Sequence, residues 1–147
     1  MFGIKRKDKE GDPRVARALD ALDINYQIDS DGDFKIGFEL EDGRTQEGFI
    51  RSQTYEFMDL ELREIFSVGL SSRGSFDART ANLLLQENED KKIGAWSVIS
   101  DREDNHLAIY TVKIAADLDG KELVGAIFAV LNTADDMEKR LSGRDDF

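Results

Sequence analysis

The chain has 147 residues and a formal net charge of −11, from 31 acidic residues against 20 Lys and Arg. This length suits a single domain, and a hydrophobic content of 40% supplies enough apolar side chains for a core. The absence of Cys excludes disulfides and cysteine metal sites, and a single His leaves few groups for acid–base catalysis. The negative charge also disfavours nucleic-acid binding, which needs patches of Lys and Arg. We therefore expect a non-enzymatic acidic domain with no metal or other cofactor.

The N-terminal part of the chain predicts a short tail followed by a helix. Residues 1–11 are charged and contain two glycines, so we expect a flexible segment there and a single α+β domain over residues 12–147. Asp12 and Pro13 form a typical helix start, and apolar residues at helical spacing continue to about residue 23. No apolar stretch suits an export signal or a membrane span, which predicts a cytoplasmic protein.

Residues 26–70 alternate apolar and polar side chains, which is typical of antiparallel strands with one wet face. Strands are predicted at residues 26–28, 34–40 and 44–52. The acidic stretch 29–33 resembles a calcium loop but lacks its first Asp and twelfth Glu, so we interpret it as a turn. A fourth strand is predicted at residues 58–70, with its apolar row facing inward: Met58, Leu60, Leu62, Phe66, Val68 and Leu70. Glu64 has the same inward parity, where an unpaired charge would be costly. It could be part of a structural ion pair, lie at the edge of the sheet, or contact a ligand.

The second half of the sequence predicts a loop at residues 71–75, a helix at 76–88 and a hairpin of two strands at 93–100 and 107–114. The last helix begins after Asp119, which forms a capping-box pattern with Glu122, and extends through Leu141. The resulting order, α-ββββ-α-ββ-α, predicts an α+β fold. Its antiparallel meander sheet has the helices packed on one face.

The first half of the last helix has no polar side chain over residues 123–131. A helix that is apolar all round must be covered all round, and a sheet shelters only one side. Either the first helix of the same chain or a second protein chain covers the other side. The second alternative predicts a homodimer interface formed by Val124, Ile127, Phe128 and Leu131.

Four other residues are candidates for contacts with a ligand or a partner protein: Arg51, Arg63, Glu64 and Trp96. Trp96 suits either core packing or a platform for a ligand. These residues carry the alternative hypothesis of a small-ligand sensor or regulator with a pocket on the sheet. A hydrolase that uses paired carboxylates and a metal is the least supported hypothesis.

Several short strings resemble the YbjN family of bacterial proteins. They are LDINY at 22–26 before DGDF at 31–34, LREIFS at 62–67, LLQEN at 84–88 before GAW at 94–96, and ADDME at 134–138. The resemblance covers residues 13–147 and implies a fold similar to type III secretion chaperones, which are commonly dimeric and bind other proteins. YbjN-like proteins are described as regulators of sensory transduction, and no catalytic residues define them. We therefore expect a chaperone-like homodimer with an unidentified protein partner, without nucleic acid or membrane contacts.

Overall fold

A computed structural model describes residues 10–40, 42–117, 119–143 and 146–147. The predicted flexible segment at residues 1–11 lies almost entirely outside these residues. The helices are α1 (Pro13–Ala21), α2 (Ala78–Asp90) and α3 (Gly120–Leu141). The strands are β1 (Gln27–Ile28), β2 (Phe34–Glu39), β3 (Thr45–Ile50), β4 (Tyr55–Phe57), β5 (Leu60–Arg73), β6 (Ala95–Ser100) and β7 (Asn105–Ala115).

The strands form one seven-stranded antiparallel sheet in the order β1-β2-β3-β5-β7-β6. The short strand β4 pairs with the first residues of β5, beyond the point where β3 leaves it. The predicted α+β fold and its element order are confirmed, with β4 as one additional strand. Among the described residues, no helix is long and apolar enough to cross a membrane.

The core lies between one face of the sheet and the helices. It takes Leu19 from α1, Leu84 from α2 and a row of apolar residues from α3, packed on Ile36, Ile65 and their neighbours. Helix α3 lies across β3, β5 and β7. Close packing disfavours larger side chains at two strand positions, most strongly at Gly69. A Cβ atom at Gly69 would lie 2.6 Å from Cη2 of Trp96, and one at Gly48 would lie 3.3 Å from Cδ2 of Leu131.

The helix starts follow from side-chain caps. Asp12 and Asp119 accept hydrogen bonds from the free N–H groups of the first turn of α1 and α3, which confirms both predicted starts. Helix α2 begins at Ala78 and not at residue 76, because Asp77 is its N-cap and accepts from the Thr80 N–H. In the predicted turn at residues 29–33, the Asp29 carboxylate accepts two main-chain N–H groups.

The predicted fourth strand is wrong at both ends and in its orientation. Met58 and Asp59 form the β4–β5 turn, and β5 extends through Arg73 into the predicted loop. The buried positions of its first half are Arg63, Ile65 and Ser67.

The row predicted to face inward therefore lies on the outer face of the sheet. It comprises Leu60, Leu62, Glu64, Phe66 and Val68. An irregularity in the β5–β7 pairing between Val68 and Leu70 changes the parity, so Leu70 is buried. The inward polar positions are tolerated because they are hydrogen-bonded. For example, the Ser67 hydroxyl donates to the Glu47 carbonyl and accepts from the Gln46 amide.

Candidate protein-binding surfaces

Arg63 is a structural anchor, and only 1% of the residue is exposed. Its Nη1 donates to the carbonyls of Arg51 and Ser52 at 2.7 and 3.1 Å, and its Nη2 lies 2.6 Å from the Asp12 carboxylate. These bonds join the start of α1 to the bend between β3 and β4. These contacts give Arg63 a role in the fold, and its candidate role in binding stays a prediction.

The same network lowers the pKa of two carboxylates. Arg14 contacts Asp12 and also donates to both carboxylate oxygens of Glu61, at 2.6 and 2.9 Å. Burial acts to raise the pKa of Asp12, but hydrogen bonds from Arg14 and Arg63 outweigh it and hold that pKa well below its usual range. Hydrogen bonds from Arg14 and Thr54 lower the pKa of Glu61 to about 2. Both carboxylates are therefore charged near neutral pH, as the ion pairs require.

Arg51 and Glu64 meet on the outer face of the sheet. The Arg51 Nε lies 3.1 Å from Oε2 of Glu64, and the Tyr55 hydroxyl donates to Oε1 of Glu64 at 2.9 Å. The Arg51 guanidinium lies 4.8 Å from the centre of the Phe66 ring, in a cation–π contact. Glu64 is thus paired at an outward position, and not at the inward one that the sequence predicted.

An open cleft of about 300 Å³ adjoins this pair and is lined by Asp31, Asp33, Arg51, Gln53, Tyr55 and Glu64. Burial raises the pKa of Asp33 and of Tyr55. Arg51 and Glu64 line the cleft but Arg63 and Trp96 do not, so the structure brings together only two of the four candidate residues. No group of three or more His, Asp or Glu residues in the described ranges could hold a metal ion.

Trp96 belongs to the core and not to a ligand platform. It is buried and packs edge-on against Tyr110, with ring centres 5.3 Å apart. The Asn88 side chain of α2 accepts from the Trp96 N–H at 2.7 Å and donates to the Trp96 carbonyl at 3.3 Å. These contacts fix α2 against β6.

The structure buries two of the four residues predicted to form an interface on α3 and leaves the other two partly exposed. Ile127 and Leu131 are completely buried in the core of the same chain. Val124 is half-buried, and Phe128 is 40% exposed and packs against Phe38 with ring centres 5.3 Å apart. The sheet and α1 therefore cover most of the apolar turns of α3. Ile127 and Leu131 offer no surface to a second chain, which corrects that part of the predicted interface.

Strand β6 is one of the two edges of the sheet and was not predicted as a site. Its six residues, AWSVIS, carry no charge, and Val98 and Ile99 are exposed. Because the main-chain groups of Trp96 bond to Asn88, the alternate residues Val98 and Ser100 also direct their N–H and C=O groups away from β7. Those groups have no partner among the described residues. The sequence feature that could have indicated this edge is the run of six uncharged residues in a chain of which 35% is charged.

Comparisons with known proteins add no relative: the chain matches no protein-family model, and no curated protein matches it in sequence. The resemblance to the YbjN family is not tested by these comparisons and stays a prediction.

Proposed function

We propose that the chain is a non-catalytic protein-binding or regulatory module that acts as a homodimer in the bacterial cytoplasm. The observation that supports this proposal is the uncharged edge strand β6, whose outward main-chain groups have no partner among the described residues. An exposed edge strand can pair with a strand of another chain, and charged residues on the edge normally prevent such pairing. Here the strand carries no charge, although the net charge of the chain is −11.

A second copy of the chain suits this edge better than an unrelated strand. In a two-fold antiparallel pair each residue faces its equivalent or a close neighbour, so charged residues would repel one another across the interface. An uncharged strand avoids this repulsion. Asn88 occupies the main-chain groups of Trp96, which leaves Val98 of one copy to pair with Ser100 of the other. This register places the two Ile99 side chains opposite each other.

The dimer is tested by measuring molecular mass with light scattering at tens of micromolar chain. We expect a dimer for the wild type and a monomer for Ile99→Asp, because two carboxylates would face each other. Val98→Pro should also dissociate the dimer, since it removes an outward N–H while leaving the β7 pairing intact. Circular dichroism confirms that each variant is folded.

Phe128→Asp is the matched control, because Phe128 and Ile99 are similarly exposed, at 40% and 37%. It should remain dimeric if β6 is the interface. A monomeric wild type contradicts the homodimer altogether. Dissociation by Phe128→Asp but not by Ile99→Asp would instead return the interface to α3.

The alternative of a small-ligand sensor has weaker support. The cleft beside Arg51 is open, and the Arg51 guanidinium is already paired with Glu64 and stacked on Phe66. A ligand would have to displace those contacts before it could use the charge.

A further inference from the structure

The β4–β5 hairpin extends beyond the rest of the sheet and has an apolar tip. Strand β3 pairs with β5 only at residues 65–67, and β7 reaches β5 only from residue 62 onward. The tip between them exposes 62% of Phe57, 85% of Met58 and 54% of Leu60. Phe57 and Leu60 are paired across the hairpin, so they lie on the same side of it.

The turn does not require Met58. Met58 and Asp59 form a two-residue loop, and Met58 has a φ of +54°. A positive φ at this loop position lies in the region that glycine adopts without the steric cost of a Cβ atom. A large apolar side chain is therefore held in solvent at a position where glycine would be less strained. Folding gains nothing from this choice, which points to a role in contacts outside the chain.

The charged side chains of the hairpin segment itself are all carboxylates. Residues 52–62 include Glu56, Asp59 and Glu61 and no Lys or Arg. Glu61 is paired with Arg14, whereas Glu56 and Asp59 are exposed and have no ion pair among the described residues. A complementary surface would combine apolar contacts for Phe57, Met58 and Leu60 with positive charges at its rim.

We propose that the tip of the β4–β5 hairpin, Phe57 to Leu60, inserts into an apolar cleft of a partner protein whose rim carries Lys or Arg. The proposal rests on the protein-binding function above but not on the dimer. A second copy of the chain is less suitable here than at the uncharged strand β6, because the exposed carboxylates Glu56 and Asp59 would meet a chain with a net charge of −11. A membrane surface is less suitable as well, since anionic lipids would repel the flanking carboxylates.

The test uses a fluorescently labelled synthetic peptide that alternates leucine and lysine, compared with one that alternates serine and lysine. Binding to the full chain is followed by anisotropy at physiological salt. We expect the leucine peptide to bind about tenfold more tightly than the serine peptide, which carries the same charge. Phe57→Ser and Met58→Gly should remove this difference, whereas Leu141→Ser, an equally charge-neutral change at an exposed residue on α3, should preserve it.

Met58→Gly separates a binding role from a structural one. Its melting temperature should equal or exceed that of the wild type, because glycine relieves the positive φ. A lower melting temperature would overturn the proposal, as would equal binding of the two peptides or unchanged binding by the hairpin variants.

Two further outcomes would assign the hairpin to another occupant and overturn the proposal. One is a lower molecular mass of the hairpin variants, which would indicate a second copy. The other is hairpin-dependent flotation with phosphatidylcholine vesicles, which would indicate a membrane. A monomeric wild type that still binds the leucine peptide through the hairpin would refute only the dimer.

Discussion

Replacing Arg63 by Met should destabilise the protein strongly, because the structure buries this charged side chain. The side chain is almost completely buried and makes three hydrogen bonds, to the carbonyls of Arg51 and Ser52 and to the Asp12 carboxylate. Methionine preserves the aliphatic volume but donates no hydrogen bond. The variant therefore leaves a carboxylate and two carbonyls short of a donor.

The size of the effect follows from these lost contacts. Removing one partner of a buried ion pair costs about 3–5 kcal/mol. Asp12 keeps its contact with Arg14, so we expect the lower end, about 3 kcal/mol. For a chain of this size that corresponds to a fall in melting temperature of about 6–12 °C. Arg51→Met is the matched control, because it removes a half-exposed ion pair and a cation–π contact worth about 0.5–1.5 kcal/mol together.

Urea denaturation, followed by circular dichroism and by the fluorescence of Trp96, measures both variants. The expected order of unfolding free energies is wild type, then Arg51→Met, then Arg63→Met, with similar dependence on urea. Equal losses for the two arginine variants would refute the assignment of Arg63 as the anchor of α1. A larger loss for Arg51→Met would show that the outer-face pair carries more stability than the buried network.

Three further predictions concern the core and the acidic network. Ile127→Ala should cost about 2–5 kcal/mol in urea denaturation, against about 1–2 kcal/mol for Phe128→Ala, because only the first side chain is fully buried; equal costs would contradict this packing. Gly69→Ala should cost about 1–3 kcal/mol and shift the tryptophan emission, because its Cβ would overlap the indole ring, whereas Gly125→Ala, with nothing within 4 Å, should stabilise α3 by about 0.5–1 kcal/mol. Since the folded-state pKa of Asp12 is lowered, its stabilisation is complete above the usual Asp pKa of about 3.9 and is lost as the pH falls below that value. Urea midpoints at pH 7 and pH 3 should therefore differ less for the Arg63 variant than for the wild type, and an identical difference would contradict this linkage.

Local patterns were sufficient for the fold class. The alternation over residues 34–40 gave the correct buried face of β2, where Phe34 and Ile36 are in the core. Asp12 and Asp119 marked helix starts because capping depends only on neighbouring main-chain groups. Each of these signals is carried by residues close together in sequence.

The orientation of β5 and the sites could not be predicted in the same way. Both faces of β5 contain large apolar residues, so its periodicity does not decide which face is buried. The decision comes from distant partners, since Asp12 satisfies Arg63 and residues of β3 satisfy Ser67. Strand order is likewise a tertiary property, and it alone makes β6 an edge and leaves the β4–β5 tip exposed.

The sequence by itself thus determined an acidic α+β chain with the starts of α1 and α3 and most of its strands, because hydrophobic period and capping act over a few residues. Only the tertiary structure decided which side of β5 meets the helices, how α3 is covered and which apolar residues stay in solvent. Those outcomes depend on hydrogen bonds and packing between segments that lie far apart along the chain.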